Sequence, residues 1–247
     1  MEEKRNDIKI AGSGSINSGD YGRVSISGSG SVKGDIRCGE FKCSGSAHAH
    51  GSIDSENVIS CSGSMSCDGN MHAREKVSIS GSCKVQGSIK AKTVRISGAC
   101  KTERSVYGDE ISITGSIRAF ENVEGEKINI SGGGRIDGTL NGENIEIALC
   151  SSHMHVAAIG GTTITVESRR TNQNIIDLIS RLFGTTANDR LTCDLIEGDT
   201  IDLDYTDSKT VRGKNVTIRG NCKIGRVEYS ENLTLDPGAT VTESEKM

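Results

Sequence analysis

The sequence has few of the residues that usually fill a globular core. Its 247 residues include no tryptophan, one proline, three phenylalanines and four tyrosines. This scarcity argues against a conventional core built around aromatic side chains. Small and β-branched residues are expected to fill the interior instead.

Long apolar runs are also missing. No stretch approaches the roughly 18 apolar residues of a membrane-spanning helix, and residues 1–7 contain neither a signal-peptide core nor a myristoylation glycine. We therefore expect a protein that is not integral to a membrane. Its expected location is the cytoplasm, with the inner face of the cell membrane as a second expected position.

Neither sign of charge dominates the sequence. Lysine and arginine number 29, aspartate and glutamate number 33, and the formal net charge is −4. Without a broad basic field, general binding to nucleic acid has no electrostatic basis. We expect no nucleic-acid partner.

What the sequence does contain is a repeat. Between residues 24 and 132, a phrase in which two apolar positions alternate with polar ones, followed by serine or threonine and then glycine, occurs seven times. The glycines are Gly28, Gly45, Gly63, Gly81, Gly98, Gly115 and Gly132. A period of 17 or 18 residues is typical of a solenoid, in which each unit buries its apolar face against its neighbours.

The columns of the repeat predict the shape of one coil. Counted from each glycine, apolar residues return at positions −4, −2, +4 and +8, a small residue stands near +10, and a second glycine is usual at +6. Each repeat thus has room for three short strands that pair with the coils above and below at about 4.8 Å. The sequence predicts an all-β fold, a parallel β-helix solenoid with 17–18-residue turns.

The repeat is interrupted once. The predicted organisation is a tail at residues 1–7, a solenoid at 8–149, an irregular insert at 150–190, resumed β-helix turns at 191–242 and a tail at 243–247. Within the insert, residues 171–183 have the spacing of an amphipathic helix. Its apolar face comprises Ile175, Ile176, Ile179, Leu182 and Phe183. This face either covers the solenoid or docks a partner or a membrane interface.

Three segments, residues 31–36, 84–94 and 135–140, resemble the bactofilins, bacterial polymer-forming cytoskeletal proteins. They share the form apolar-x-Gly-x-apolar, a small residue, and then a strand that ends in glycine. The resemblance covers most of residues 8–149 and, more weakly, 201–241. It implies a right-handed coil and a non-enzymatic scaffold that assembles end to end without nucleotide, with itself or a paralogue, and positions client proteins in cell shape, envelope or motility functions.

Stacked coils also give a physical reason for self-assembly. The two terminal coils leave backbone N–H and C=O groups unpaired on one side, and exposed strand edges template pairing with another chain. The residues expected to contribute are Ile8, Ile10, Leu233, Leu235 and Val241. We therefore expect filaments or end-to-end oligomers.

Five histidines suggest a metal site as an alternative. His48 and His50, with His72 in register, resemble the three-histidine zinc site of β-helical carbonic anhydrases. His48 and His50 fall at the outward positions +3 and +5, so we interpret them as solvated and expect no metal. The alternative stays open for His153 and His155, which lie in the predicted insert.

An enzyme is the alternative function. Left-handed β-helix acyltransferases of the hexapeptide type also use 18-residue turns, with a catalytic histidine between the subunits of a trimer. Here the turn often has 17 residues and no histidine recurs in a pocket-like context. We expect neither catalytic residues nor a cofactor.

The nine cysteines are predicted to be core residues. Their number is odd, no C-x-x-C motif occurs, and most stand in the repeat columns. Cys43 and Cys61 share one column, and Cys83 and Cys100 share another. A buried free cysteine behaves as a small apolar residue, and a cytoplasm keeps it reduced.

Overall fold

The computed structural model describes residues 5–150, 152–168 and 189–247. Every regular element of these residues is a β-strand, and the strands pair in parallel. The predicted all-β parallel solenoid is confirmed. The predicted helix at 171–183, with Ile175, Ile176, Ile179, Leu182 and Phe183, lies outside the described residues and stays a prediction.

The chain divides into two units, residues 1–126 and 127–247. The first unit contains β1 (Ile8–Ile10), β2 (Ser13–Ile26), β3 (Ser29–Cys43), β4 (Ser46–Ala49), β5 (Ile53–Cys61), β6 (Ser64–Cys67), β7 (Met71–Ala73), β8 (Lys76–Ile79), β9 (Ser82–Val85), β10 (Ile89–Lys90), β11 (Thr93–Ile96), β12 (Ala99–Thr102), β13 (Val106–Tyr107), β14 (Glu110–Ile113) and β15 (Ser116–Ala119). Strand β16 (Val123–Ser131) begins in this unit and ends in the second.

Three rows of paired strands form the coils of the first unit. In the row that precedes the repeat glycines, Val77 pairs with Ile59 on one side and Val94 on the other. The row at +1 to +4 includes the pairings of β4 with β6, β6 with β9 and β9 with β12. The third row pairs β5, β7, β10 and β13 in succession. Each 17- or 18-residue repeat therefore supplies three strands, as the columns predicted.

The interior of the first unit consists of the repeated apolar columns. Val77, Ile79, Val94 and Ile96 are at most 1% exposed, and Phe41 is the largest of the fully buried side chains. Alternate residues on the same strands point outward and are polar. Because a buried valine or isoleucine stabilises the fold by about 1.5–3 kcal/mol, these columns supply the main driving force for coil stacking.

The second unit is built from longer strands that bend around the coil without a break. They are β17 (Gly133–Leu149), β18 (His153–Ser168), β19 (Arg190–Leu203), β20 (Thr206–Ile218), β21 (Lys223–Leu235) and β22 (Thr240–Lys246). Buried residues again stack coil on coil: Ile145 pairs with Ile164, and Ile164 with Ile201. Among the described residues, no helix is long and apolar enough to cross a bilayer.

Two predicted boundaries are wrong. Residues 153–168, assigned to an irregular insert at 150–190, form a coil in register with its neighbours. The repeat pattern does not reveal this coil, because Ile145 and Ile164 are 19 residues apart and no glycine follows Val166. Residues 243–246, assigned to a tail, pair with β21 as part of β22.

Asp189, which directly precedes β19, is hydrogen-bonded to residues at the two ends of β18. Its carboxylate accepts hydrogen bonds from the Ser152 N–H at 2.9 Å and the Ser168 hydroxyl at 2.8 Å, and the residue is 1% exposed. Ser168 and Asp189 flank residues 169–188. The buried carboxylate therefore joins the residue before β19 to both ends of β18.

Candidate functional site

The first coil has an open edge in the part of the chain that the structure describes. Strand β1 pairs with residues 24–26 of the next coil, and no described strand lies on its other side. The side chains of Ile8 and Ile10 are half-buried. Asp7 covers only the neighbouring corner, where its carboxylate accepts a hydrogen bond from the Arg23 N–H at 2.8 Å.

The last coil is open in the same way. Leu233 and Leu235 pair with residues 216–218, and the described residues contain no strand on their other side. Leu235 is 47% exposed, while Leu233 and Val241 are half-buried. The five residues proposed from the sequence for self-assembly thus lie on the two terminal coils. Their part in assembly stays a prediction.

Ion pairs cross from coil to coil on the outward faces. Arg219 binds the Asp202 carboxylate through two nitrogens, at 2.7 and 2.5 Å. The Arg212 guanidinium donates to Glu228 at 2.6 Å and holds the pKa of that carboxyl below its ordinary value. Exposed ion pairs contribute little to stability. These contacts link neighbouring coils and place charged groups on the outward faces of the solenoid.

Eight of the nine cysteines are buried, which confirms the core prediction for them; Cys150 is exposed. Cys43 pairs with Cys61, and Cys83 with Cys100, as the columns indicated. Burial raises the pKa values of several of these thiols. Neutral buried thiols are poor nucleophiles, so these residues act as packing groups.

A side-chain cluster that the sequence analysis missed in part lies on the outward face of the first unit. His48 Nε2 lies 2.9 Å from Asp68 Oδ2, and His50 Nδ1 lies 3.4 Å from the same oxygen. The two imidazole rings are 4.0 Å apart between centroids. Gln86 Nε2 donates to the other carboxylate oxygen, Oδ1, at 3.0 Å. We name His48, His50 and Asp68 the His–Asp cluster.

The signal for Asp68 was present in the repeat. His50, Asp68 and Gln86 all stand at position +5 of successive coils, so they stack in one outward column. His48 stands at +3 on β4, and His50 directly follows the end of this strand. The polar column at +5 therefore indicates from the sequence alone that Asp68 lies next to His50.

The other histidines lie apart from this cluster. His72 Nδ1 is 3.3 Å from Asp54 Oδ1 of the preceding coil, so the structure does not add it to His48 and His50. His153 and His155 lie on the regular strand β18, where Thr192 Oγ1 is 3.5 and 3.0 Å from their ring nitrogens. Within the described ranges, the His–Asp cluster is the only three-residue group with metal-ligand spacing.

Comparisons with known proteins support the resemblance to the bactofilins over part of the chain. Residues 46–141 match the family model described as bactofilin, polymer-forming cytoskeletal. The "Uncharacterized protein YhbF" of Bacillus subtilis (strain 168) is 38% identical over 104 residues, 41% of this chain and 40% of that protein. The "Uncharacterized protein YhbE" of the same organism is 53% identical over 57 residues, 23% of this chain and 24% of that protein.

These matches cover only part of each protein. The chain spans less than half the length of either curated relative. No solved structure matches. The matched family is cytoskeletal, and its description together with the solenoid fold supports a structural role. The resemblance predicted from the sequence is confirmed over residues 46–141, which match the model of the bactofilin family of polymer-forming cytoskeletal proteins.

Proposed function

We propose that the chain is a structural subunit that associates end to end with further copies and forms filaments. The observation that carries this proposal is the open backbone edge at each terminal coil. At the first coil, β1 is paired on one side, and at the last coil Leu233 and Leu235 are paired on one side, within the described residues. A strand of a second copy satisfies such an edge by adding to it.

The exposed apolar side chains of the terminal coils support the same proposal. Leu235 is 47% exposed beside the half-buried Leu233, and Ile8 and Ile10 are half-buried at the first coil. A further coil placed on either edge covers these side chains as the internal coils cover theirs. Apolar burial then adds to the backbone hydrogen bonds.

Charged substitutions at the last coil test this function. Leu233→Asp with Leu235→Asp places carboxylates where a second copy must pack, so we expect assemblies to fall to monomers or dimers. Sedimentation velocity over a concentration series measures the change. Phe120→Asp is the matched control, because Phe120 is also an exposed large apolar residue, at 37%, but lies away from the terminal coils.

Three results would contradict the proposal. The first is a wild-type protein that stays monomeric at high concentration in dilute salt. The second is a discrete trimer at all concentrations, which favours the acyltransferase alternative. The third is equal assembly of the terminal variant and the wild type, which would show that the terminal coils do not form the interface.

We further propose that the outward faces are the surface offered to client proteins and that the filament works in the cytoplasm, near the inner face of the cell membrane. The supporting observation is the mixed charge of these faces, where arginine and acidic residues alternate between coils. Such a surface is soluble and free of one dominant sign of charge. Clients in cell shape, envelope or motility functions fit this role.

A further inference from the structure

We propose that the His–Asp cluster binds one divalent transition-metal cation, with zinc as its representative. The fold presents both imidazoles on one side: His48 lies on β4, His50 directly follows β4, and their ring centroids are 4.0 Å apart. The next coil then supplies Asp68 from the column that also contains His50. The three ligands therefore come from two successive coils of one solenoid.

The distances fit one cation. In a tetrahedral zinc site the metal–ligand bonds are about 2.0–2.1 Å, so neighbouring ligand atoms are separated by about 3.3 Å. Asp68 Oδ2 lies 2.9 Å from His48 Nε2 and 3.4 Å from His50 Nδ1. All three ligand atoms lie within 4.8 Å of one another. Small rotations of the imidazole rings bring them to bonding distance of a common centre.

The carboxylate is already oriented for this role. Gln86 Nε2 donates to Asp68 Oδ1 at 3.0 Å and turns Oδ2 toward both imidazoles. Groups that hydrogen-bond to metal ligands in this way fix their geometry, and their removal typically lowers metal affinity about 10–100-fold. Gln86 is therefore a positioning residue and not a ligand.

The ligand set selects the class of metal. Two neutral imidazoles and one carboxylate suit zinc and its neighbours in the first transition series better than magnesium or calcium, which prefer oxygen ligands. His48, His50 and Asp68 are all at least partly exposed, so water has access to the fourth position. Because the metal joins two coils, its binding also raises the thermal stability of the protein.

Zinc binding to the purified, untagged protein tests the proposal. After removal of metal with a chelator, we expect equilibrium dialysis and elemental analysis to show a zinc ion that the His–Asp cluster retains. His48→Ser with His50→Gln should weaken this binding by at least about 100-fold. Ser31 and Ser66 stand in the His48 column and Gln86 in the His50 column, so both replacements suit the coil.

Two further variants separate the cluster from general histidine binding. Gln86→Ala should lower zinc affinity about tenfold. His153→Ser with His155→Ser is the matched control, because it removes the other paired histidines and should leave the cluster's zinc in place. Circular dichroism confirms that each variant keeps its strands.

Three results would overturn the proposal. The first is no zinc retained by the wild type at about 100 µM free metal, on the order of the weaker end of ordinary metal-site affinities. The second is unchanged binding in folded His48→Ser/His50→Gln protein. The third is complete loss of zinc in the His153→Ser/His155→Ser control.

Discussion

Replacing Gly81 by alanine is expected to destabilise the first unit by at least about 3 kcal/mol, the upper end of the usual cost of overpacking. A Cβ atom on Gly81 would lie 2.7 Å from the Ser62 carbonyl oxygen and closer still to that of Gly63. The latter oxygen is fixed, because it accepts a hydrogen bond from the Ser82 N–H at 3.0 Å. The two coils must therefore separate at this corner.

Space, and not backbone conformation, is what requires glycine here. The φ angle of Gly81 lies outside the left-handed region. The same close approach to the preceding coil recurs at Gly45, Gly63, Gly98 and Gly115. The glycine column of the sequence is thus explained by the short distance between stacked corners.

Gly12→Ala is the matched control for this prediction. Gly12 occupies the same corner in the first coil, and a Cβ atom there would have no atom of the described residues within 4 Å. We expect a change within about 0.5 kcal/mol there. Thermal unfolding should show a midpoint roughly 6–12 °C lower for Gly81→Ala, at about 2–4 °C per kcal/mol. Equal midpoints for the two variants would contradict the close stacking of the corners.

Stability is expected to fall steeply above about pH 9. Burial raises the pKa of Cys38, Cys67 and Cys222 to about 11, and that of Cys193 to about 12, from an ordinary value of 9.0. Between the ordinary value and these raised values, the unfolded chain releases thiol protons that the folded chain keeps. Rising pH therefore favours unfolding, by at most about 1.4 kcal/mol per thiol for each pH unit.

The urea midpoint, measured under reducing conditions from about pH 7 to about pH 10.5, checks this alkaline loss. Four such thiols together remove at most on the order of 5 kcal/mol per pH unit. Cys67→Ala should reduce the loss of unfolding free energy per pH unit by the contribution of one thiol. Alanine suits the site because Ala49 pairs with Cys67 in the same column. A midpoint that stays constant across this range would contradict the burial of these thiols.

The sequence predicted the fold of the first unit well because its columns are a direct record of strand register. Residues that return at the same repeat position, such as Val77 and Val94, are paired neighbours in the structure. Stacking places each residue next to its equivalent in the adjacent coil, so no long-range pairing had to be inferred. The three strands of each coil followed from the same columns.

The second unit was harder to predict for two physical reasons. A 19-residue step joins Ile145 to Ile164, and no glycine follows Val166, so β18 broke the expected period. Strand β22 has one paired neighbour in the described residues, and its partly exposed inner side tolerates polar residues such as Ser244. Neither coil carries the apolar phrase that identified the others.

The His–Asp cluster shows a different limit. His48 and His50 were recognised as a pair on one strand face, but their environment depends on the neighbouring coil. Asp68 belongs to the cluster because it stands next to His50 in the +5 column, one coil further along the chain. Columns selected for apolar residues reveal the core, whereas contacts between outward residues require each polar column to be compared as well.

In the proposed filament, the terminal coils pair with another copy and continue the stack. Electron microscopy of the pure protein, with diffraction from aligned assemblies, tests this pairing most directly. We expect filaments with a reflection at about 4.8 Å along their axis, the spacing of paired strands. Discrete particles of constant size, with both terminal edges covered by their own polypeptide, would contradict it.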